Sequence, residues 1–505
     1  MSAVARTMVG RAPEGVPSAP RIWDALQEAC AVFAARTAVQ EGTRACSYQD
    51  LWARVETNRQ WLQDRVAAGP IVLVPRNDAS WVALVFGAIG SGRVPLLADP
   101  VWTAAELEHV VARAAARAVA LPAGCEAPKG LSLRGEADGH HLFAVEEPKA
   151  AESIQLRDDT AFGRFTSGTT GFPRCLQFSD AAALAAARSW QEAAGLHSND
   201  RVLCLATLNN GLAFNTSLLS VFLTGGLLAF HGGRVLPRSL EKSFDAIDPT
   251  VFVAFPFAYE LLVKHEAGRV PARLRLAVSS AARLAPAVRE AWLSSTGLPI
   301  CDYYGVAEVG PCTFNDGSRP DSVGQPLPGV SFTITDEAGR ELPPGEAGLI
   351  RIGTRSMASA YLDREGPPFS ASLDEQGRYV SRDLGCLSAT GHLVLGGRQG
   401  RMVNVAGRKI DPLEVEGVLR QLPGVRDALV CGEESPDRTV LAAYIESDSL
   451  TREQLMAFLV TRVASYKIPQ AVVIVPRLPR SSTGKLSVGR MRSAHDWRDT
   501  CRPPR

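Results

Sequence analysis

A chain of 505 residues exceeds what one hydrophobic core organises and predicts about three domains or subdomains. Its 46% hydrophobic and 21% charged residues exclude a disordered or fibrous chain. The 54 basic residues set against 53 acidic ones leave no electrostatic footprint for a nucleic-acid binder.

Residues 1–20 are rich in Ala, Gly and Pro and are expected to be poorly ordered. They lack the charged start, apolar run and small-residue cleavage site of a secretory leader. Beyond them strand and helix patterns alternate. Ile71-Val72-Leu73-Val74 reads as a strand, Ser80 to Ile89 as a buried helix, and Val94-Pro95-Leu96-Leu97 as the next strand. Further strands are predicted at Val202 to Ala206, Val251 to Phe255 and Leu276 to Ser279, with a helix over Asp180 to Ala194. Alternation of this kind predicts parallel sheets covered on both faces. The apolar run Ser217 to Phe230 spans only 14 residues. A bilayer crossing needs roughly 20, so the run is read as core and no membrane span is expected.

From about residue 320 to 400, short strand-like runs are separated by turns at Pro328-Gly329, Asp336 to Gly339, Pro344-Gly345 and Asp374 to Gly377. They predict a small barrel-like or antiparallel subdomain. From Leu413 a compact α+β unit follows: a helix to Gln421, strands at Ala428 to Cys431 and Val440 to Ile445, a helix from Thr451, and a strand at Val472 to Val475. The ten cysteines show no metal spacing and read as reduced residues of a cytoplasmic protein. Cys175 is singled out for its reactivity. The expected fold class is α/β: a large N-terminal domain of parallel αβα sheets with a small β-barrel-like subdomain, then a small mobile C-terminal α+β domain. The divisions fall at 21–397, a hinge over 398–402, and 403–505.

The most informative stretch is Thr166-Ser167-Gly168-Thr169-Thr170-Gly171-Phe172-Pro173-Arg174. Glycines expose backbone N–H groups, hydroxyls add donors, and Arg174 supplies a counter-charge, so the loop is suited to a polyphosphate. It is not a P-loop: the nearest match, Thr483-Gly484-Lys485-Leu486, has Pro479 in place of the first glycine and no hydroxyl after the lysine. Further motifs follow in order: Tyr303-Tyr304-Gly305-Val306-Ala307-Glu308, Ser381-Arg382-Asp383-Leu384-Gly385, Gly397-Arg398, Gly407 to Glu416, and Ser481 to Lys485. Taken together the chain resembles the adenylate-forming superfamily over roughly residues 20–495, in particular aryl-CoA ligases of the benzoate type.

That resemblance implies a carboxylic acid, ATP and Mg²⁺ as reactants and metal, and a thiol as acceptor, either CoA or the phosphopantetheine of an acyl carrier protein. It implies that Lys485 bridges the carboxylate and the α-phosphate, that Glu308 holds Mg²⁺, and that Arg174 pairs with phosphate. Asp383 is implied to accept the ribose hydroxyls, with Arg398 on the same side. Asp302 stands where the adenine amino group is accepted, and Tyr304, after Tyr303 and before Gly305, stands where the base stacks. Gly400 falls at the hinge, and Ala406 and Gly407 fall on the thiol tunnel. Three positions depart from the family pattern: Arg174 replaces a lysine, Ala307 a threonine, and Gly400 a hinge Asp or Lys. With Ala307 in place of threonine, loss of the hydroxyl bond to a charged phosphate is worth roughly 1.5–3 kcal/mol.

For the acid, Asn209-Asn210-Gly211 resembles the pocket segment of benzoate-type ligases, and Phe255 with Ser280, Ala281 and Ala282 suggests a flat apolar slot. The two asparagines hydrogen-bond a ring substituent or, alternatively, make only loop turns. A protein that binds an adenylate without turnover, and a luciferase-like oxygenase, remain the competing readings. The oligomeric expectation is a monomer or a homodimer.

Overall fold

The computed structural model describes residues 21–100, 102, 104–125, 127–145, 154–166, 174–265, 270–280, 284–364, 366–398, 403–405, 408–410, 412–434, 439–463, 467–480, 486 and 491. Two large sheets dominate. Runs such as Val251–Ala254, Leu227–Phe230, Pro70–Leu73 and Ala118–Pro122 are buried at every position. Strands apolar on both faces belong in a sheet covered on both sides, and these lie in two. One has nine strands in the order Gln325–Pro326, Gly310–Asn315, Ile300–Val306, Leu276–Ser279, Val251–Ala254, Arg201–Cys204, Leu227–Phe230, Thr37–Glu41 and Arg44–Ser47. It is parallel from Ile300–Val306 across to Thr37–Glu41. The other has eight strands: Ala360–Tyr361, Cys175–Ser179, Thr160–Phe165, Val94–Leu97, Pro70–Leu73, Ala118–Pro122, His140–Val145 and Leu131–Ala137.

A single core fills the space between the sheets. It takes Val251, Val253 and Val278 from one sheet, Ile71, Leu73, Phe162 and Phe178 from the other, and the inner faces of helices Tyr48–Arg65, Ala79–Gly90 and Asp180–Ala194. Alternate residues of the same strands, such as Phe252 and Ala277, or Val72 and Val119, face outward into two further cores covered by helices. Helix Tyr48–Arg65 begins at a capping box, in which Asp50 N donates to Ser47 Oγ at 3.0 Å and Ser47 N donates to the Asp50 carboxylate at 3.3 Å. It packs so closely on Ala79–Gly90 that a Cβ on Gly87 would stand 2.9 Å from the Arg59 backbone nitrogen.

The run Ser217 to Phe230 is core, as expected, but it is divided. A helical turn at Gly211–Ala213 widens into a π-helix over Phe214–Leu219 and returns to α-helix over Ser220–Thr224. Gly225, at φ +74°, ends the helix and leads to strand Leu227–Phe230. No helix among the described residues is long and apolar enough to cross a membrane.

Beyond residue 330 the pairing is antiparallel, in a four-stranded sheet of Ser331–Thr335, Gly348–Gly353, Tyr379–Leu387 and Leu393–Arg398. The last part is α+β. Strands Asp427–Glu434, Thr439–Glu446 and Ala471–Val475 form one sheet, and helices Pro412–Leu419 and Arg452–Val460 pack on its core. A two-stranded ribbon, Val403–Val405 with Arg408–Ile410, precedes it.

Candidate active site

Strand Thr160–Phe165 delivers Thr166 to the neck of the glycine-rich loop, and strand Cys175–Ser179 leads away from it. The neck is closed by two bonds: Thr166 N donates to the Arg174 carbonyl at 2.9 Å, and Arg174 N donates to Thr166 Oγ1 at 3.1 Å. Ser167, Gly168, Thr169, Thr170 and Gly171 lie outside the described residues. Arg174 has partners in the free protein: Nε donates to the buried Asp363 carboxylate at 3.1 Å, Nη1 donates to the Pro367 carbonyl at 2.7 Å, and the group lies 3.6 Å from the Tyr361 ring centroid. Asp363 also pairs with Arg113 at 3.3 Å. A planar fork that meets a carboxylate and stacks on a ring is a use of arginine that lysine does not reproduce. Arg174 therefore ties the base of the loop to segment 361–367. Cys175 is buried, and burial pushes its thiol up, so it is not a reactive nucleophile.

Strand Ile300–Val306 carries the second group of residues, and its alternation decides their directions. Asp302 faces the outer helices, where Arg289 Nη2 donates to both carboxylate oxygens at 2.9 Å. Burial raises its carboxyl above the ordinary range, and Arg289 opposes that rise. Tyr303 turns into the core between the sheets, edge-on to Trp190 with centroids 5.4 Å apart. Burial pushes its hydroxyl well above the ordinary phenol range. Tyr303 thus belongs to the inter-sheet space, and Tyr304 is left as the ring of the pair at the cleft.

Tyr304 donates its hydroxyl hydrogen to Asp383 Oδ2 at 2.6 Å, joining the nine-stranded sheet to the four-stranded one. A bulge between Tyr304 and Gly305 redirects the chain, and a Cβ on Gly305 would stand 2.8 Å from the Gly310 carbonyl oxygen. Glu308 follows in the turn, half-buried, its carbonyl accepting from Ala358 N at 2.8 Å. Asp383 and Arg398 face each other across paired strands; only the backbone of Arg398 is described. Gly400, Ala406, Gly407 and Lys485 lie outside the described residues.

On the acid side, Asn210 is a cap. Its Oδ1 accepts from Leu212 N at 2.9 Å and starts the helical turn. Asn209 Oδ1 is buried without a partner, and the buried Asn215, one turn beyond Gly211, faces the Tyr303 hydroxyl. Phe255 joins the inter-sheet core, whereas Tyr259 faces the outer one and donates to the Val278 carbonyl at 2.9 Å. Ser280 is buried, and Ala281 and Ala282 lie outside the described residues. The sequence reading missed Arg164, a buried cation two residues before Thr166. The available signal was a lone charge in the aromatic strand Phe162-Gly163-Arg164-Phe165.

The model of the AMP-binding enzymes matches residues 26–362, and that of the AMP-binding enzyme C-terminal domain matches 414–485. The 3-hydroxybenzoate–CoA ligase of Aromatoleum sp. (strain CIB) is 27% identical over 91% of this chain and 94% of its own length. The 3-hydroxybenzoate/4-hydroxybenzoate–CoA ligase of Thauera aromatica is 26% identical over 90% and 93%. Among solved structures, the o-succinylbenzoate CoA synthetase of Bacillus subtilis, in complex with its acyl-adenylate intermediate, superimposes with a TM-score of 0.79. It is 22% identical, over 94% of this chain and 98% of that one. Matched by both family models, the first over more than half of its length, the chain belongs to the AMP-binding enzymes and is an AMP-forming acid–thiol ligase.

Proposed function

We propose that this ligase activates an aromatic carboxylic acid with ATP and Mg²⁺ and passes the acyl group to CoA. The observation that supports the reading is the aromatic cluster Phe162, Phe178, Phe214, Tyr303 and Phe255, packed between the sheets beside the neck of the phosphate loop. An aromatic neighbourhood with a few buried polar atoms suits a ring. The names of the hydroxybenzoate relatives point to the same class.

In the first half-reaction a carboxylate oxygen attacks the α-phosphorus, and the bond to the bridging oxygen of the β-phosphate breaks. Pyrophosphate leaves and the acyl adenylate remains. The loop from Thr166 holds phosphate oxygens through N–H groups and hydroxyls, and Asp383 accepts from the ribose. Lys485 bridges the attacking carboxylate and the α-phosphate. Among the described residues no three acidic, His or Cys side chains gather as a metal-holding group. A magnesium ion on a triphosphate needs only one or two carboxylates, its other ligands being water and phosphate, so the half-buried Glu308 fits. When bound, the ion neutralises charge on the phosphates. In the second half-reaction the thiol sulfur attacks the acyl carbonyl and AMP leaves, with residues 398–402 as pivot and Ala406-Gly407 on the thiol side.

Acid-dependent ATP–pyrophosphate exchange across aromatic and aliphatic acids tests the reading, followed by thioester assays with CoA and with a carrier protein. Exchange with benzoates and a CoA thioester are expected. Exchange confined to aliphatic acids would overturn the substrate class, and transfer only to a carrier would overturn the acceptor. Lys485→Ala is expected to slow exchange by several orders of magnitude while sparing thioester formation from supplied acyl adenylate. Equal loss in both assays would remove the lysine from the first step.

A further inference from the structure

Arg164 is only 5% exposed, and no carboxylate pairs with it among the described residues. Its guanidinium carbon lies 4.5 Å from the Phe178 centroid, 5.8 Å from that of Phe214 and 6.0 Å from that of Phe162, and Nη1 is buried with no hydrogen-bond partner. A Cβ on Gly211 would stand 2.9 Å from that Nη1. The glycine that opens the π-bulged helix therefore leaves room for the cation. Asn215 lies on the same helix face one turn on, and its buried side chain faces the Tyr303 hydroxyl.

Aromatic faces recover part of the cost of burying a cation, but buried charges are ordinarily paired. Burial pulls this guanidinium down to about 10, with Tyr303 and Glu308 opposing the fall, so it stays protonated at neutral pH. A protonated, buried group with an unused N–H calls for an oxygen acceptor. Position says where that oxygen comes from. Arg164 sits two strand residues behind Thr166, about 7 Å back from the phosphate loop. That separation is comparable to the distance from the carboxyl group of a benzoate to a substituent on its ring.

We propose that Arg164 reads the substrate, taking an oxygen acceptor carried by the acid at the end remote from the reacting carboxyl. Preferred substrates then carry a second carboxylate or a hydroxyl, and the carboxylate, which also neutralises the charge, ranks first. This rests on the reading of the inter-sheet space as the acid site.

Pyrophosphate exchange with benzoate, 3-hydroxybenzoate and benzene-1,3-dicarboxylate, and with pentanoate and pentanedioate, tests it. The parent is expected to favour the oxygen-bearing member of a series by about 10- to 100-fold in kcat/KM, the value of a hydrogen bond to a charged group. Arg164→Met is expected to bring that ratio to within about threefold of one, and Arg164→Lys to restore part of it. Gly211→Ala, which crowds Nη1 without altering the strand, should narrow the ratio too. The hydroxyl and carboxylate arms identify the acceptor. A parent that handles the bare acid as well as its substituted partners overturns the inference while leaving the aromatic reading intact. An unchanged ratio in a folded Arg164→Met variant overturns it as well. A preference seen only in the aliphatic pair overturns the aromatic reading and keeps Arg164 in its role. Exchange with no acid would overturn both.

Discussion

Asp363 holds two guanidinium groups, Arg113 and Arg174, in a pocket where its own side chain is 6% exposed. Removing the carboxylate leaves two cations facing each other, and breaking a buried pair in this way costs about 3–5 kcal/mol. Because both arginines keep some contact with water, Asp363→Ala is expected at the low end, about 3 kcal/mol, read as a lowered urea midpoint. A change below about 0.5 kcal/mol would show that the loop neck is held by the two Thr166–Arg174 bonds alone. Tyr304→Phe keeps the ring and deletes the bond to Asp383. On the proposed role of Asp383 as ribose acceptor, its apparent KM for ATP should rise less than that of Asp383→Ala, since the carboxylate remains. The reverse order would make the tyrosine the nucleotide contact and the aspartate its support. His140 shows how burial sets a pH limit. Nδ1 lies 3.2 Å from the Asp138 carbonyl, and burial lowers the ring from its ordinary 6.5. The folded chain thus favours the neutral ring, and the unfolded chain takes up the proton first. The associated stability is complete above 6.5 and is lost as pH falls through the lowered folded value. Thermal melts from pH 8 to pH 5 should fall more steeply for the parent than for His140→Gln; parallel curves would assign the acid limb to other groups.

At the level of elements, close approach between two helices depends on a missing side chain. A methyl group on Gly87 would meet Asn58 Cβ at 2.7 Å and the Val55 carbonyl oxygen at 3.0 Å. Gly87→Ala is therefore expected to destabilise by about 1–3 kcal/mol despite its better helix propensity, and a gain in the urea midpoint would show that the helices separate without cost. This also shows what a sequence can carry. The buried parallel strands and helix Asp180–Ala194 were legible because continuous apolar runs and capping serines mark them. The hairpin Leu131–Ala137 with His140–Val145 was missed, although its Asp138-Gly139 turn, with φ values of +51° and +76°, is a two-residue hairpin signal. Its polar, half-exposed strands resemble loop in composition. The motif residues were legible by spacing, but their partners were not. Arg289 and Asp363 come from elements other than those of the groups they meet, and no local pattern announces which cation meets which carboxylate.

Over the whole molecule, two half-reactions must share one set of groups, and the proposed pivot at 398–402 follows directly on strand Leu393–Arg398, which pairs with the strand bearing Asp383. Proline fixes φ near −65°, so Gly400→Pro is expected to preserve pyrophosphate exchange and cripple thioester formation. A folded variant that runs both at the parent's rates would move the pivot elsewhere. The bond from Tyr304 to Asp383 also bears on which sugar the enzyme tolerates. The free protein already presents that carboxylate with one hydroxyl in place, so a nucleotide displaces a partner and does not find an empty acceptor. When a nucleotide lacks its 2′ oxygen, the tyrosine can keep the position that oxygen would have taken. Deoxyadenosine triphosphate is then a workable reactant, its kcat/KM within about tenfold of the ribonucleotide, because the bond kept by the tyrosine offsets part of the charge-assisted bond that is lost. In Tyr304→Phe, where the tyrosine hydroxyl is absent, the gap between the two sugars should widen. A parent that rejects the deoxynucleotide outright would mean that the tyrosine leaves the carboxylate completely once ATP is bound.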